Sequence, residues 1–187
     1  MKDLQQLQQY YEQTLCDRIF QYTLTNGTVL QVIFYREALC HLLGIQYISK
    51  NRRYIGKSGY ERIRSGELTI KRLKSMNRAG FISIKHRMEH FTLIGHLMEC
   101  GTVFRFYPER ARGTRIQATF LIREKKHELY LHLFLARESS KSDIYAPISY
   151  IVITERDDNP NLYVAGQEHK KVLTLDILPM KQQIENK

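Results

Sequence analysis

The chain has 187 residues, of which 43% are hydrophobic, and this composition excludes a disordered polypeptide. No run reaches the ~18 apolar residues that a membrane-spanning helix needs, and the glutamine-rich start lacks a signal-peptide pattern. The formal net charge of +10 favours a polyanionic partner. From the lack of an apolar run we expect no membrane partner. Three cysteines, odd in number and far apart, indicate a reducing compartment, so we expect a cytoplasmic protein.

The first half of the chain predicts helices around one hairpin. A helix over residues 3–17 precedes two β-prone runs that flank Asn26-Gly27, the pair that type I′ turns prefer. The stretch REALCHLLGI predicts a short helix that ends at Gly44. Residues 46–68 contain three glycines and are expected to form a loop.

The second half changes from helices to strands. Two helices are predicted over 69–79 and 81–100, with a break at Gly80. After Gly101 apolar residues alternate, which predicts strands at 102–107, 115–123, 128–137, 148–154, 162–165 and 171–178. This order indicates an α+β fold, with the N-terminal hairpin and helices packed on one face of a curved, mainly antiparallel sheet.

Most of the net positive charge lies in one segment. Between Lys50 and His90 there are twelve Lys or Arg residues and three acids, with Tyr54 and Tyr60 among them. Aromatic side chains beside cations suit base stacking combined with phosphate contacts. The alternative is a solvated helical surface or a mobile loop. We expect this segment to contact nucleic acid through Arg52, Arg53, Lys57, Lys85 and Arg87.

A second concentration of charge is the turn in FYPERARGTRIQATF. Arg110, Arg112 and Arg115 crowd around Gly113, with Arg105 just upstream. Turns usually take Gly, Asn or Asp and do not need cations that repel one another. Because arginine binds phosphate through two parallel hydrogen bonds, the turn is expected to hold a phosphate. In this hypothesis Arg112 and Arg115 contact the scissile phosphate, while Arg105 and Arg110 follow the strand.

The hairpin that follows places a histidine on the face that this turn adjoins. A two-residue turn at Lys125-Lys126 would set His132 opposite Thr119. Side chains alternate, so one face is predicted to carry Ile116, Ala118, Phe120, Ile122, Leu129, Leu131, Leu133 and Leu135. The other face is mixed, with His132 at its centre between Tyr130 and Phe134.

Histidine and arginine together supply what metal-independent RNA cleavage needs. A base must take the 2′-hydroxyl proton, an acid must protonate the leaving 5′-oxygen, and cations must stabilise the phosphorane. His132 is the candidate for proton transfer, and Thr119 and Ser149 can add hydroxyl donors. The alternative is that His132 is a half-buried packing residue of the sheet.

Four stretches of the chain resemble one known family. They are REALCHLLGI, FRFYPERARGTRIQATFLI, LYLHLFLAR and YAPISYIVI, and they are similar to phage-associated nuclease-like domains named for barnase, EndoU, colicin and RelE. The resemblance covers residues 20–175 of an expected single domain, 1–187, and leaves an N-terminal helix (1–16) and a tail (179–187) outside. It implies helices packed on a curved antiparallel sheet, with RNA bound on the open face.

The resemblance also implies a function. His41 matches the family's characteristic histidine and His132 its LHLFL strand, so the two are expected to share the acid and base roles. The expected activity is endoribonuclease cleavage by 2′-hydroxyl transesterification without cofactor or metal, in a toxin-like protein of a phage or mobile element. The alternative is a non-catalytic module on the same fold that binds nucleic acid or inhibits a host protein. An antitoxin is a further expected partner.

One motif points to different chemistry. HRMEH, residues 86–90, fits the H-x-x-E-H pattern of inverted zinc peptidases. His86 and His90 are four residues apart on a predicted helix and could share one zinc ion with Glu89 as base, and with Glu155 or Glu168 as third ligand. Flanking cations disfavour a bound dication, so we expect no metal site here.

Overall fold

The structure is a computed structural model that describes residues 2–140, 142–156 and 159–180. Its helices are α1 (Leu4–Thr14), α2 (Leu39–Leu42), α3 (Gly56–Arg64), α4 (Ile70–Met76), α5 (Arg78–Glu89) and α6 (Ile94–Cys100). Its strands are β1 (Arg18–Leu24), β2 (Val29–Ile33), β3 (Thr102–Arg105), β4 (Phe120–Lys126), β5 (Leu129–Arg137), β6 (Ile144–Thr154), β7 (Glu168–Lys170) and β8 (Val172–Pro179). Of the expected tail, 179–187, the residues from 181 onward lie outside the described part.

The strands form one curved sheet that nearly closes on itself. Their order is β7-β3-β4-β5-β6-β2-β1-β8. Neighbouring strands pair antiparallel, except that β2 and β6 pair parallel. The strands at the two ends of this order, β7 and β8, are separated in the chain by Lys171 alone. The predicted α+β class and mainly antiparallel sheet are therefore confirmed.

The main hydrophobic core lies between the helices and one face of this sheet. Phe120 and Ile122 from β4, and Leu131, Leu133 and Leu135 from β5, belong to this core. Leu97 and Met98 of α6 and Tyr11 of α1 are also in it and are fully buried. We call this side of the sheet the helix face and the opposite side the outer face. The predicted division of side chains between two faces is confirmed for β4 and β5. It is wrong for Ile116 and Ala118, which precede β4 and lie in a second hydrophobic cluster with Leu121 and Phe134.

The predicted register of the β4–β5 hairpin is wrong. Its turn lies at His127-Glu128 rather than at Lys125-Lys126, and His132 pairs with Arg123 instead of Thr119. His127 adopts a left-handed backbone conformation with φ 55°. The displacement is an even number of residues, so the side chains of β4 and β5 keep their predicted faces although their partners change.

The first hairpin is where it was predicted, but its turn is of another type. Gly27 has φ 82°, whereas Asn26 is not among the described residues with positive φ. A type I′ turn needs positive φ at both positions. Instead, the amide of Leu24 donates to the carbonyl of Thr28 (2.9 Å), and Gly27 donates back to Leu24 (2.9 Å), which encloses a three-residue loop.

The predicted loop at 46–68 is wrong, because it contains helix α3. Ile63 of this helix is fully buried and Tyr60 is 2% exposed. Gly59 lies so close to Tyr54 that a β-carbon there would come within 2.4 Å of the Tyr54 carbonyl group. This glycine therefore permits close packing of a helix onto the preceding turn, where the sequence pattern indicated a loop.

Other predicted boundaries shift for identifiable reasons. The break expected at Gly80 occurs at Asn77, whose side chain accepts a hydrogen bond from the Gly80 amide (2.8 Å) and caps α5. Residues 162–165, predicted as a strand, form turns. No helix in the described ranges has the length and apolar character needed to cross a membrane.

Candidate functional site

Two chain segments cover the outer face of the sheet. Residues 106–118, between β3 and β4, place Phe106 and Ala118 in a second hydrophobic cluster with Leu121 and Phe134 of the sheet. Tyr163, from the segment after β6, packs edge-on against Phe134 with 5.1 Å between ring centroids. The mixed, open face that the sequence predicted is therefore a small covered core around β4, β5 and β6.

A cleft of about 350 Å³ opens between this cover and helix α5. Its lining comes from α5, the arginine turn, β6 and two tyrosines: Tyr47, Ser83, Ile84, Arg87, Gly113, Thr114, Arg115, Ile116, Ile151 and Tyr163. No acidic side chain of the described residues lines it. We call this the arginine cleft, because it brings together two cations that lie far apart in the sequence.

Arg87 is the unusual residue of the arginine cleft. Its guanidinium lies 5.2 Å from the centroid of the Tyr47 ring, and its Nη1 is buried without a hydrogen-bond partner. No carboxylate forms an ion pair with it in the described part of the chain. Burial lowers the pKa of Arg87, and contact with Tyr47 opposes that change. A partly buried cation without an anion is costly unless a ligand supplies one.

His41 is within range of the charge of this cation. It is exposed overall, but its ring is beside the backbone of Ile148 on β6 and close enough to Arg87 to feel its charge. Partial burial lowers the pKa of His41, Arg87 acts in the same direction, and the Ile148 backbone opposes them. A histidine in this environment is neutral at physiological pH, as a general base must be before it accepts a proton.

His132 is enclosed. The residue is 0% exposed, and the ring of Tyr163 covers it at 5.4 Å between centroids. Burial, together with the charge of Arg123, lowers the pKa of His132 to about 3. No hydrogen bond or ring contact joins it to His41 within the described residues. A ring in this position suits packing better than proton transfer, because RNA cannot reach it unless Tyr163 moves.

The arginines of the turn have separate surroundings. Arg110 donates to the carbonyl of Gly166 (2.8 Å) and lies 4.2 Å from the centroid of the Tyr107 ring, so it ties the two covering segments together. Arg112 is exposed and does not line the arginine cleft, whereas Arg115 does. The structure therefore brings one arginine of the turn, rather than three, towards Arg87.

The two predicted hydroxyl donors lie outside the arginine cleft. Ser149 is 8% exposed and pairs with Phe134. Thr119 donates its backbone amide to Leu135 (2.7 Å) and, like Arg105, lines a different cleft on the helix face.

The basic segment 50–90 is only partly available to a ligand. Tyr54 and Tyr60, expected to stack on bases, are 9% and 2% exposed and belong to the core. Lys85 pairs with Glu89 at 3.2 Å. The cations that remain exposed and outside the ion pairs of the described residues include Arg52, Arg53 and Lys57.

The H-x-x-E-H motif does bring its three side chains together. Potential ligand atoms of His86, Glu89 and His90 lie within 4.8 Å of one another. The third-ligand candidates of the peptidase alternative, Glu155 and Glu168, each pair with a lysine instead. No further metal-binding side chain joins the three within the described ranges. The distant carboxylate that this alternative requires is therefore not in place.

The sequence patterns do not identify two residues of the site, Tyr47 and Tyr163. Tyr47 is 56% exposed beside Arg87, and Tyr163 covers His132. Tyr47 lay in a segment interpreted as a loop, and Tyr163 in one interpreted as a strand. Nothing in the local pattern indicates that either reaches Arg87, because the contacts join residues 40 to 76 positions apart.

Comparison with known families agrees with this fold. Residues 3–175 match the family described as phage-Barnase-EndoU-ColicinE5/D-RelE like nuclease. The match includes α1, which we expected to lie outside the family region. Neither the curated proteins nor the solved structures contain a significant match. Because the family match covers most of the chain, the protein belongs to the phage-Barnase-EndoU-ColicinE5/D-RelE like nuclease family.

Proposed function

We propose that this protein binds RNA in the arginine cleft and cleaves it by attack of the 2′-hydroxyl group, without a metal ion. The observation that carries the proposal is Arg87, a partly buried cation that has no anionic partner in the described residues and whose charge reaches His41. Membership of a nuclease family supports a nucleic-acid substrate. Because the proposed mechanism uses the 2′-hydroxyl group, the proposed substrate is RNA, and the proposed compartment is the cytoplasm.

The proposed chemistry begins at His41. As general base, it takes the proton of the 2′-hydroxyl group, and the 2′-oxygen forms a bond to phosphorus. Arg87 and Arg115 stabilise the charge that develops on the non-bridging oxygens. The bond from phosphorus to the 5′-oxygen then breaks and leaves a 2′,3′-cyclic phosphate.

The leaving 5′-oxygen needs a proton, and Tyr163 is the proposed donor. Burial raises the pKa of Tyr163, while Arg87 lowers it and Tyr47 raises it, so the phenol keeps its proton at neutral pH. Tyr47, being exposed, is available to stack on a base that flanks the scissile phosphate. Arg52, Arg53 and Lys57 extend the contact to phosphates further along the strand.

A non-catalytic binding module is the second candidate, and one observation favours it. The arginine cleft has no histidine in its described lining, and His132, expected to complete an acid–base pair, is buried. On that alternative, the same cations would hold nucleic acid or an acidic surface of a host protein or antitoxin without chemistry.

Incubation with total RNA in excess EDTA separates the two candidates. Fragments that end in 2′,3′-cyclic phosphate, lost in a His41→Ala variant, support the nuclease. Activity should be lost only in buffer more acidic than the ordinary pKa of histidine, because His41 must be unprotonated and burial lowers its pKa. Intact RNA combined with salt-dependent binding would support the binding module and overturn the proposed cleavage.

A further inference from the structure

A second cationic cleft lies on the helix face, at the end of the sheet where the β1–β2 turn approaches β3 and β6. Its volume is about 430 Å³, and it shares no lining residue with the arginine cleft. Three cations line it, Arg105, Arg137 and Lys170, and none of its described lining residues is acidic. We call it the helix-face cleft.

Aromatic rings hold two of these cations in place. The guanidinium of Arg105 lies 5.3 Å from the ring centroid of Phe120, and that of Arg137 lies 5.6 Å from that of Tyr145. The two rings pack edge to face with 5.3 Å between centroids. Both guanidinium groups therefore contact the same pair of packed aromatic rings. These contacts restrict the arginine rotamers before a ligand binds, so that less side-chain entropy is lost on binding.

Two of the three cations also contact groups that do not line the cleft. Arg137 contacts Asp143 at 3.2 Å and the carbonyl of Ser140 at 3.3 Å, and Lys170 pairs with Glu168. Neither acid lines the cleft. Arg105 forms no direct ion pair among the described residues, although Glu168, its cross-strand partner on β7, is close enough to interact with its charge. Because neither Glu168 nor Asp143 lines the cleft, the three cations present a net positive lining.

The remaining lining groups suit an oxyanion. Thr28 and Thr119 can donate hydroxyl hydrogens and Asn26 an amide hydrogen. Phe120 and Tyr145 are 5% and 2% exposed, so their faces cannot stack on a base. Recognition here would therefore depend on phosphate rather than on base identity. A volume of about 430 Å³ is within the range of small-ligand sites and exceeds what one inorganic phosphate needs.

We propose that the helix-face cleft binds the phosphate group of a nucleotide, with Arg105 and Arg137 as bidentate partners and Lys170 as the third cation. The phosphate can belong to a free mononucleotide or to the end of an RNA strand. This site is separate from the proposed cleavage site and does not depend on cleavage.

Calorimetric titration of the full chain with AMP, and with adenosine as the uncharged control ligand, tests whether binding depends on the phosphate group. We expect AMP to bind and adenosine to bind at least ~10-fold more weakly. Arg105→Gln and Lys170→Gln should each weaken AMP binding by at least ~10-fold, about the loss of one charge-assisted contact. Arg156→Gln removes an exposed arginine outside both clefts and should leave AMP affinity within twofold.

The source of the phosphate is tested with 2′-O-methyl oligonucleotides, which cannot undergo 2′-hydroxyl attack. Binding that requires a terminal phosphate and is sensitive to Arg105→Gln supports the strand end, while binding of AMP alone supports the free nucleotide.

Thermal unfolding of each variant checks its fold, and Lys170→Gln provides a second test if Arg105→Gln unfolds. The proposal is overturned if AMP and adenosine bind alike, or if folded cleft variants bind AMP like the unmodified chain. The cleavage proposal is scored separately by the total-RNA assay with His41→Ala, so its failure would leave the outcome of the AMP titrations unaffected.

Discussion

Replacement of Arg87 by methionine is the most direct test of the arginine cleft. Methionine keeps a long unbranched side chain in the position of the arginine stem but removes the charge and all five donors. In the folded protein Arg87 has no ion pair among the described residues, and its Nη1 is buried without a partner. The substitution therefore removes an uncompensated cation, not one member of a salt bridge.

The substitution should change the stability little but reduce the activity strongly. Loss of the stacking contact with Tyr47 costs roughly 0.5–1 kcal/mol, and relief of the unpaired charge offsets it. The melting temperature should consequently change by no more than about 4 °C in a chain of this size. Cleavage should lose one charge-assisted contact in the transition state, about 1.5–3 kcal/mol, which is roughly 10- to 150-fold in kcat/KM.

The assay follows cleavage of a short fluorescent RNA in EDTA, with circular dichroism for the melting temperature. Arg78→Met is the matched control, because Arg78 is an exposed arginine at the start of the same helix, α5. It should leave kcat/KM within about twofold. A folded Arg87→Met protein with unchanged cleavage would refute the assignment of phosphate binding to Arg87. A fall in melting temperature well beyond 4 °C would show that Arg87 is a structural cation.

Four further outcomes test the surrounding assignments. Arg115→Gln should weaken RNA binding more than Arg112→Gln does in a filter-binding assay, because only Arg115 lines the arginine cleft. His132→Phe should remove a pH dependence visible in urea unfolding: the unfolded chain protonates near pH 6.5 and the folded ring only near 3, so lowering the pH from 7.5 to 5 costs the unmodified protein about 2 kcal/mol. Combined His86→Ala and His90→Ala should leave the melting temperature within about 2 °C, and elemental analysis should find no stoichiometric zinc in the unmodified chain. Reversal of Arg52, Arg53 and Lys57 to glutamate should reduce the slope of log affinity against log salt by at least ~0.7 per lost contact, and an unchanged slope would place the RNA elsewhere.

Local patterns in the sequence determined much of this fold. Alternation of apolar residues along 120–135 determined which side chains share a face, since successive residues of a strand point in opposite directions. The same pattern could not determine the register, because turns at Lys125-Lys126 and at His127-Glu128 both preserve that alternation. The local pattern does not predict helix α3, because Gly59 serves packing against Tyr54, a contact between chain segments that no local pattern encodes.

The candidate site depends on the tertiary structure to a greater degree. Composition and charge predicted a polyanion, and motif resemblance predicted the nuclease family. Whether a given cation is available depends on its neighbours: Arg110 is occupied by Gly166, whereas Arg87 has no anion. Burial of His132 follows from the packing of Tyr163, 31 positions further along the chain. The exposure of a side chain and its ion pairs depend on contacts between segments that are distant in the sequence. Only the folded chain therefore determines which of the predicted residues can contact a ligand.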